Sequence, residues 1–243
     1  MIKADKIARL FVKNIGGKKM STDFTGYNYD QITQLSTKVA STSTQVAELI
    51  VSKLQGDIVA EIAKQWYAQE AVSFFQRFAE EVLKTAPHIQ EIFEAYNKGI
   101  FEASEFWKGR TDTQASAVKS TVELPNMRVD VSAVEPLING NAGIFEAGAE
   151  AVANKIPGVR ADISNQLKVY AGSLEAASSF LGQGQAGAVE ELFVRIQEEV
   201  AKIFRFLEED ANGPSLMSII KQTVKDYQAA GQDVTKAFNS SGV

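Results

Sequence analysis

Apolar residues return at alternating steps of three and four over windows far longer than one helical turn, and that spacing commits most of the chain to amphipathic helices. The longest run is Ala71, Phe75, Phe78, Val82, Thr85, Ile89, Ile92 and Tyr96, with Phe74 and Phe93 widening it. It keeps a/d spacing for more than three heptads, so its helix is expected to pair with another in a coiled-coil-like, antiparallel fashion. An earlier run, Ile32, Leu35, Val39, Thr42, Val46 and Leu49 with Ile50 and Leu54 beside it, supplies a first partner. Gly56 is expected to stop that helix and Asp57 to cap the next. Pro87 predicts either a kink or two helices, the second capped by Thr85.

Beyond Gly109 the chain turns polar and rich in Thr and Ser, which reads as a linker over 111–129 with a short extended stretch near Val122 to Val131. A helix is expected from Val131 to Ala153, weakened at Asn139-Gly140-Asn141 and broken at Ile156-Pro157-Gly158. Ile163, Leu167, Tyr170 and Leu174 mark the next helix, ending near Phe180-Leu181-Gly182. A strong stripe follows: Val189, Leu192, Phe193, Ile196, Val200, Ile203, Phe204 and Leu207. After Asn212-Gly213, Pro214 is expected in the first turn of a last helix carrying Leu216, Ile219, Ile220, Val224, Tyr227 and Val234. The expected fold class is all-α, antiparallel helical hairpins packed as a bundle. The expected organisation is an extension over 1–26, a hairpin over 27–110, the linker over 111–129 and a second bundle half over 130–243.

Composition then excludes several functions. A net charge of −5 and a pI near 5.1 argue against a nucleic-acid partner, which needs a concentrated basic face. The basic clusters, Lys3 to Arg9 and Lys18-Lys19, are confined to one end. With no cysteine, disulfides and thiolate chemistry are excluded. No apolar run approaches the roughly 18 residues that a membrane span requires, so stable insertion is not expected. Ile7 to Val12 is too short for the apolar region of a cleaved signal peptide.

A catalytic centre is not expected either. The one histidine, His88, has no His or Cys companion and reads as structural or as a surface residue. Glu80-Glu81, Glu190-Glu191, Glu198-Glu199 and Glu208-Glu209-Asp210 fall on the polar faces of the stripes, without the Glu-x-x-His pattern of a carboxylate-bridged metal site. No nucleophile elbow appears. The glycines from Gly182 to Gly187 lack the Lys-Ser/Thr ending of a phosphate loop, and they follow a helix where a dinucleotide fingerprint needs a strand. No cofactor or metal is expected.

Trp66 is followed by Ala68, then by Phe74 and Phe78, eight and twelve residues after the indole. A bulky indole can plug the mouth of a helical hairpin, a small residue two places on lets the chain turn, and later aromatics continue the seal. With a helix on either side, the arrangement over about residues 27–107 resembles the WXG100, or ESAT-6-like, family. Members are helical hairpins exported folded by type VII secretion systems, usually as dimers. The pattern departs from the family at two places. Ala68 stands where the family has glycine, and the Tyr-x-x-x-Asp/Glu export signal is missing, since Tyr96 is followed at the fourth place by Ile100. Phe101 with Glu105 has the nearest spacing. Leu181, Val189 and Phe193 repeat the plus-eight and plus-twelve spacing, as a degenerate second hairpin would.

The resemblance implies a non-enzymatic substrate or targeting partner of a bacterial type VII system, secreted without a cleaved signal. It would bind a partner protein, or itself, through an apolar helix face, and would engage the secretion ATPase. Trp66, Ala68, Phe74 and Phe78 would form the hairpin and partner motif. The other readings are a cytoplasmic protein in which Trp66 is the core tryptophan of an unrelated bundle, a membrane-active helical toxin, and a helical assembly component.

Overall fold

The computed structural model describes residues 28–111, 116–123, 125–181, 184–208 and 214–240. The expected N-terminal extension, 1–26, lies outside them. The described chain is an all-α helical bundle. Helix α1 spans Tyr29–Leu54, continues through a π-helical turn at Gln55–Val59 into the short α2, Ala60–Ile62, and is followed by β1, Trp66–Tyr67. Helix α3 spans Gln69–Thr111; β2, Gly143–Ile144, precedes α4, Glu146–Ser178, which closes in a 3-10 turn at Ser179–Leu181. Helices α5, Gly184–Glu208, and α6, Leu216–Ser240, complete the order.

The stripes become the core as their periodicity demands. Ile32, Leu35, Val39, Val46, Ile50 and Leu54 of α1 are buried, as are Phe75, Phe78, Val82, Ile89, Phe93 and Tyr96 of α3. Asn28 caps α1, its Oδ1 accepting from the backbone N–H groups of Asp30 at 3.0 Å and Gln31 at 3.1 Å.

Several predicted punctuations are corrected. Gly56 does not stop the helix: the chain widens into a π turn there, and Asp57 pairs with Lys53 one turn back, Nζ to Oδ2 at 3.1 Å, instead of capping. Pro87 lies inside the continuous α3, so there is no second helix for Thr85 to cap. Pro157 and Gly158 likewise lie inside α4, where buried Ile156 and Val159 flank them and anchor both sides of the expected break. The helix expected from Val131 begins only at Glu146. In its place Asn139 (φ 51°) and Gly140 (φ 79°) make a tight turn, closed by Ile138 and Asn141 exchanging N–H···O bonds of 2.8 and 2.9 Å. Asn-Gly supplies the two positive φ angles that such a turn needs. Pro214 precedes the cap of α6 rather than entering its first turn; Ser215 is the cap, its Oγ accepting from the Ser218 N–H at 3.2 Å.

The chain divides into two compact units. Unit 1 takes in residues up to Ile50, Lys84–Met127 and Ile163–Val200; unit 2 takes in Val51–Leu83, Arg128–Asp162 and Ala201–Val243. Within unit 1, Phe93 of α3 meets Phe193 of α5 edge to face, with ring centroids 6.4 Å apart. Residues 116–123 lie extended in this unit and are held by side chains of α1 and α3. Thr33 Oγ1 accepts from the Val118 N–H at 2.9 Å, Ser36 Oγ accepts from the Ser120 N–H at 2.9 Å, and Asn97 Nδ2 donates to the Ser120 carbonyl at 2.9 Å. The two strands, which the sequence does not announce, are in unit 2 and pair antiparallel, Trp66 opposite Ile144 and Tyr67 opposite Gly143.

Candidate functional site

The four motif residues all belong to unit 2: Trp66 and Ala68 lie in the turn between α2 and α3, and Phe74 and Phe78 lie within α3. The turn is built by local closure: the Lys64 N–H bonds to the Glu61 carbonyl at 3.3 Å and the Gln65 N–H to the Ile62 carbonyl at 2.9 Å. The chain then runs extended through Trp66 and Tyr67, where β2 satisfies its backbone, and the Phe145 N–H adds a 2.7 Å bond to the Gln65 carbonyl. Ala68 sits immediately before α3, its carbonyl accepting from the Val72 N–H at 3.2 Å. At 1 % exposure it leaves no room for a large side chain at this corner.

Phe74 and Phe78 lie one turn apart on α3 and share one partner, Phe206 of α5, at centroid distances of 5.2 and 6.0 Å. Phe75 joins them edge to face, 5.2 Å from Phe74 and 6.0 Å from Phe78. Trp66 is held differently, by its strand pairing with Ile144, and its indole Nε1 is buried without an acceptor among the described residues. All four motif residues are at most 1 % exposed. They are therefore interior residues, and the apolar surface of unit 2 is carried by others.

Among them are Phe145, Leu137 and Ile138, exposed to 59, 48 and 37 %, together with Leu83 at 55 % and Tyr227 at 39 %. Phe145 stands edge to face with Tyr67, centroids 6.4 Å apart, directly beside the Trp66 strand. Neither Phe206 nor Phe145 stands out in the sequence. Phe206 falls between the stripe positions Phe204 and Leu207, and Phe145 lies in a stretch whose strand is two residues long. The Asn139-Gly140 dipeptide was the available signal for the turn that precedes Phe145.

The other sequence candidates are scattered. His88 is half exposed, and its Nδ1 lies 3.2 Å from Oε2 of Glu199 across α3 and α5 in unit 1. Glu199 is 8 % exposed, so the polar face expected for the Glu198-Glu199 pair holds only for Glu198. Among the described residues no three His, Cys, Asp or Glu side chains gather where they could hold a metal ion, and no helix is long and apolar enough to cross a membrane. Gly184 and Gly187 lie within α5 rather than in a loop. Comparisons with protein-family models, with curated proteins and with solved structures find no match.

Proposed function

We propose that the chain is a non-enzymatic helical interaction protein, a substrate or targeting partner of a type VII secretion apparatus that works through helix–helix contacts. The observation that carries the reading is the burial of Trp66 and Ala68 in one interhelical turn and of Phe74 and Phe78 on the helix that follows it, each to at least 99 %. A turn closed by a rigid indole and a small residue keeps two helical segments in fixed register. A folded hairpin of that kind can be recognised and exported without unfolding. Phe145 supports the partner role, because it is exposed and stands against the half-buried Tyr67 next to the same turn, and aromatic side chains are the usual anchors of protein interfaces.

The test is export from a bacterium that carries both this chain and a type VII system. With the secretion ATPase deleted, the protein is expected to disappear from the medium and accumulate inside the cell. Undiminished export from the deletion strain overturns the reading, and leaves Trp66 as the core tryptophan of an unrelated bundle.

A further inference from the structure

Residues 135–142 of unit 2 are all exposed, and one pair closes their main chain: the Ile138 N–H to the Asn141 carbonyl at 2.8 Å and the Asn141 N–H to the Ile138 carbonyl at 2.9 Å. Asn139, at the tip, differs from the other asparagines of the described residues. The Asn28 side chain caps α1, Asn97 is buried, Asn154 and Asn165 lie inside α4, and the Asn141 amide donates to the Asn139 carbonyl at 3.2 Å. Asn126 is exposed, but the next N–H, that of Met127, is engaged with the Pro125 carbonyl at 2.8 Å. No hydrogen bond holds the Asn139 side chain among the described residues. The glycine that follows has an equally free N–H, and a Cβ there would meet nothing within 4 Å.

An asparagine amide beside an unhindered backbone nitrogen is a reactive pair. A water molecule takes the Gly140 N–H proton, the nitrogen bonds to Cγ of Asn139, and Nδ2 leaves with a proton as ammonia. The product is a cyclic imide. Water then opens it, at Cγ to leave aspartate or at the main-chain carbonyl to leave a β-linked isoaspartate; nothing is oxidised or reduced. The φ angles of 51° and 79° put Asn139 in a turn where its ψ is about +30°, which aims the Gly140 nitrogen away from the side chain. Ring closure therefore waits for the Ile138–Asn141 pair to open, and opening is cheap in a loop without buried contacts. We infer that Asn139-Gly140 is a self-modification site, converted by water alone in the folded chain, and that its β-linked product loosens β2 beside the Trp66 strand. The isoaspartate adds a methylene to the main chain of a two-residue connection, so Ile138 and Asn141 no longer close on each other from both sides. Gly143-Ile144 follows two residues later; it keeps its pairing with Trp66 and Tyr67 but loses the closed turn that leads into it. The α-linked aspartate carries the same charge and keeps the turn, since Asp also tolerates positive φ. The inference stands apart from the export reading, which makes no use of this loop's chemistry.

The full chain, incubated at neutral pH and mapped as peptides by mass spectrometry, tests the conversion. Mapping separates Asn139 from the second Asn-Gly pair of the sequence, Asn212-Gly213, which lies outside the described residues. In the folded chain Asn139 is expected to show the mass change of amide to acid and to yield isoaspartate that an isoaspartate-specific methyltransferase labels, while Asn126 and Asn141 stay intact. In guanidinium chloride the same site should react about ten- to a hundredfold faster, the factor by which two hydrogen bonds hold the turn shut. Conversion of Asn139 in the folded chain no faster than that of Asn126 overturns the proposal. The coupling to β2 is tested on the isoaspartyl chain, separated by chromatography and compared with Asn139→Asp, which has its charge without the added methylene. Hydrogen exchange at the Asn141 and Phe145 amides is expected to be about tenfold faster or more in the isoaspartyl chain, with Asn139→Asp matching the parent. Equal exchange in the two chains overturns the coupling.

Discussion

Trp66 heads the fully buried side chains by volume, while its indole N–H has no acceptor among the described residues. The two facts pull in opposite directions. Truncation to alanine removes a large buried ring and is expected to cost about 3–5 kcal/mol in urea unfolding. Trp66→Phe should cost far less, because the smaller ring keeps most of the packing and removes a buried donor that meets nothing. A Trp66→Phe cost equal to that of Trp66→Ala would show that the indole's full outline is required. Tyr96 sets a second residue-scale expectation. Burial raises its phenol above the usual value, and the Ser178 hydroxyl offsets part of the rise. The folded chain therefore keeps this proton to higher pH than the unfolded chain does. Stability contributed here is intact below about pH 10 and falls as pH rises beyond it, by up to about 1.4 kcal/mol per unit. Urea midpoints measured from pH 9 to 11 should show that fall, and Tyr96→Phe should make it shallower.

At the scale of elements, the stripes were legible and so was the helix end near Phe180-Leu181, but the breaks expected at Gly56, Pro87 and Pro157 were not. Spacing in threes and fours is a property of each helix by itself, so α1, α3 and α5 could be read from their own residues. Whether proline or glycine ends a helix depends on what its neighbours anchor, and those anchors lie far away in sequence. Pro157 survives inside α4 between buried Ile156 and Val159. The missing N–H and the ring clash remain a local cost of about 3 kcal/mol. Pro157→Ala is therefore expected to stabilise the chain by roughly 1–3 kcal/mol, read as a higher thermal midpoint. Gly172, exposed in the same helix with nothing near the place a Cβ would occupy, should gain about 0.5–1 kcal/mol as Gly172→Ala. A loss of stability in both variants would mean that α4 is bent at Pro157 in a way its packing requires. The two-residue strands escaped notice for a related reason. Trp66-Tyr67 and Gly143-Ile144 are too short to show alternation, and each is extended because the other satisfies its backbone.

For the whole molecule, the order of segments along the chain matters more than any one contact. Each unit takes pieces from before and after residues 111–129: unit 1 joins α1 and α3 residues to Ile163–Val200, and unit 2 joins the Trp66 turn to Arg128–Asp162 and Ala201–Val243. Periodicity finds the helices but says nothing of such interleaving, because the contacts that create it are long-range. The Trp66 turn illustrates the dependence. Its backbone is completed by Ile144 and Phe145, and the aromatic pair Phe74 and Phe78 by Phe206. A fragment ending at residue 115 would leave those rings and that strand edge without partners. It is expected to lack a cooperative thermal transition and to expose apolar surface that binds a hydrophobic dye. Mixed with a fragment of residues 116–243, it should recover helicity and a single transition, since every missing partner of the turn lies in the second piece. A cooperative transition in the first fragment by itself would show that the hairpin is self-sufficient. The α1 and α3 side chains that hold residues 116–123 make a distinction within the same experiment. Moving the cut from 115 to 123 leaves that segment attached to α3, and any added protection of its amides from hydrogen exchange in the longer fragment would measure how much of that hold forms from α1 and α3 without Ile163–Val200.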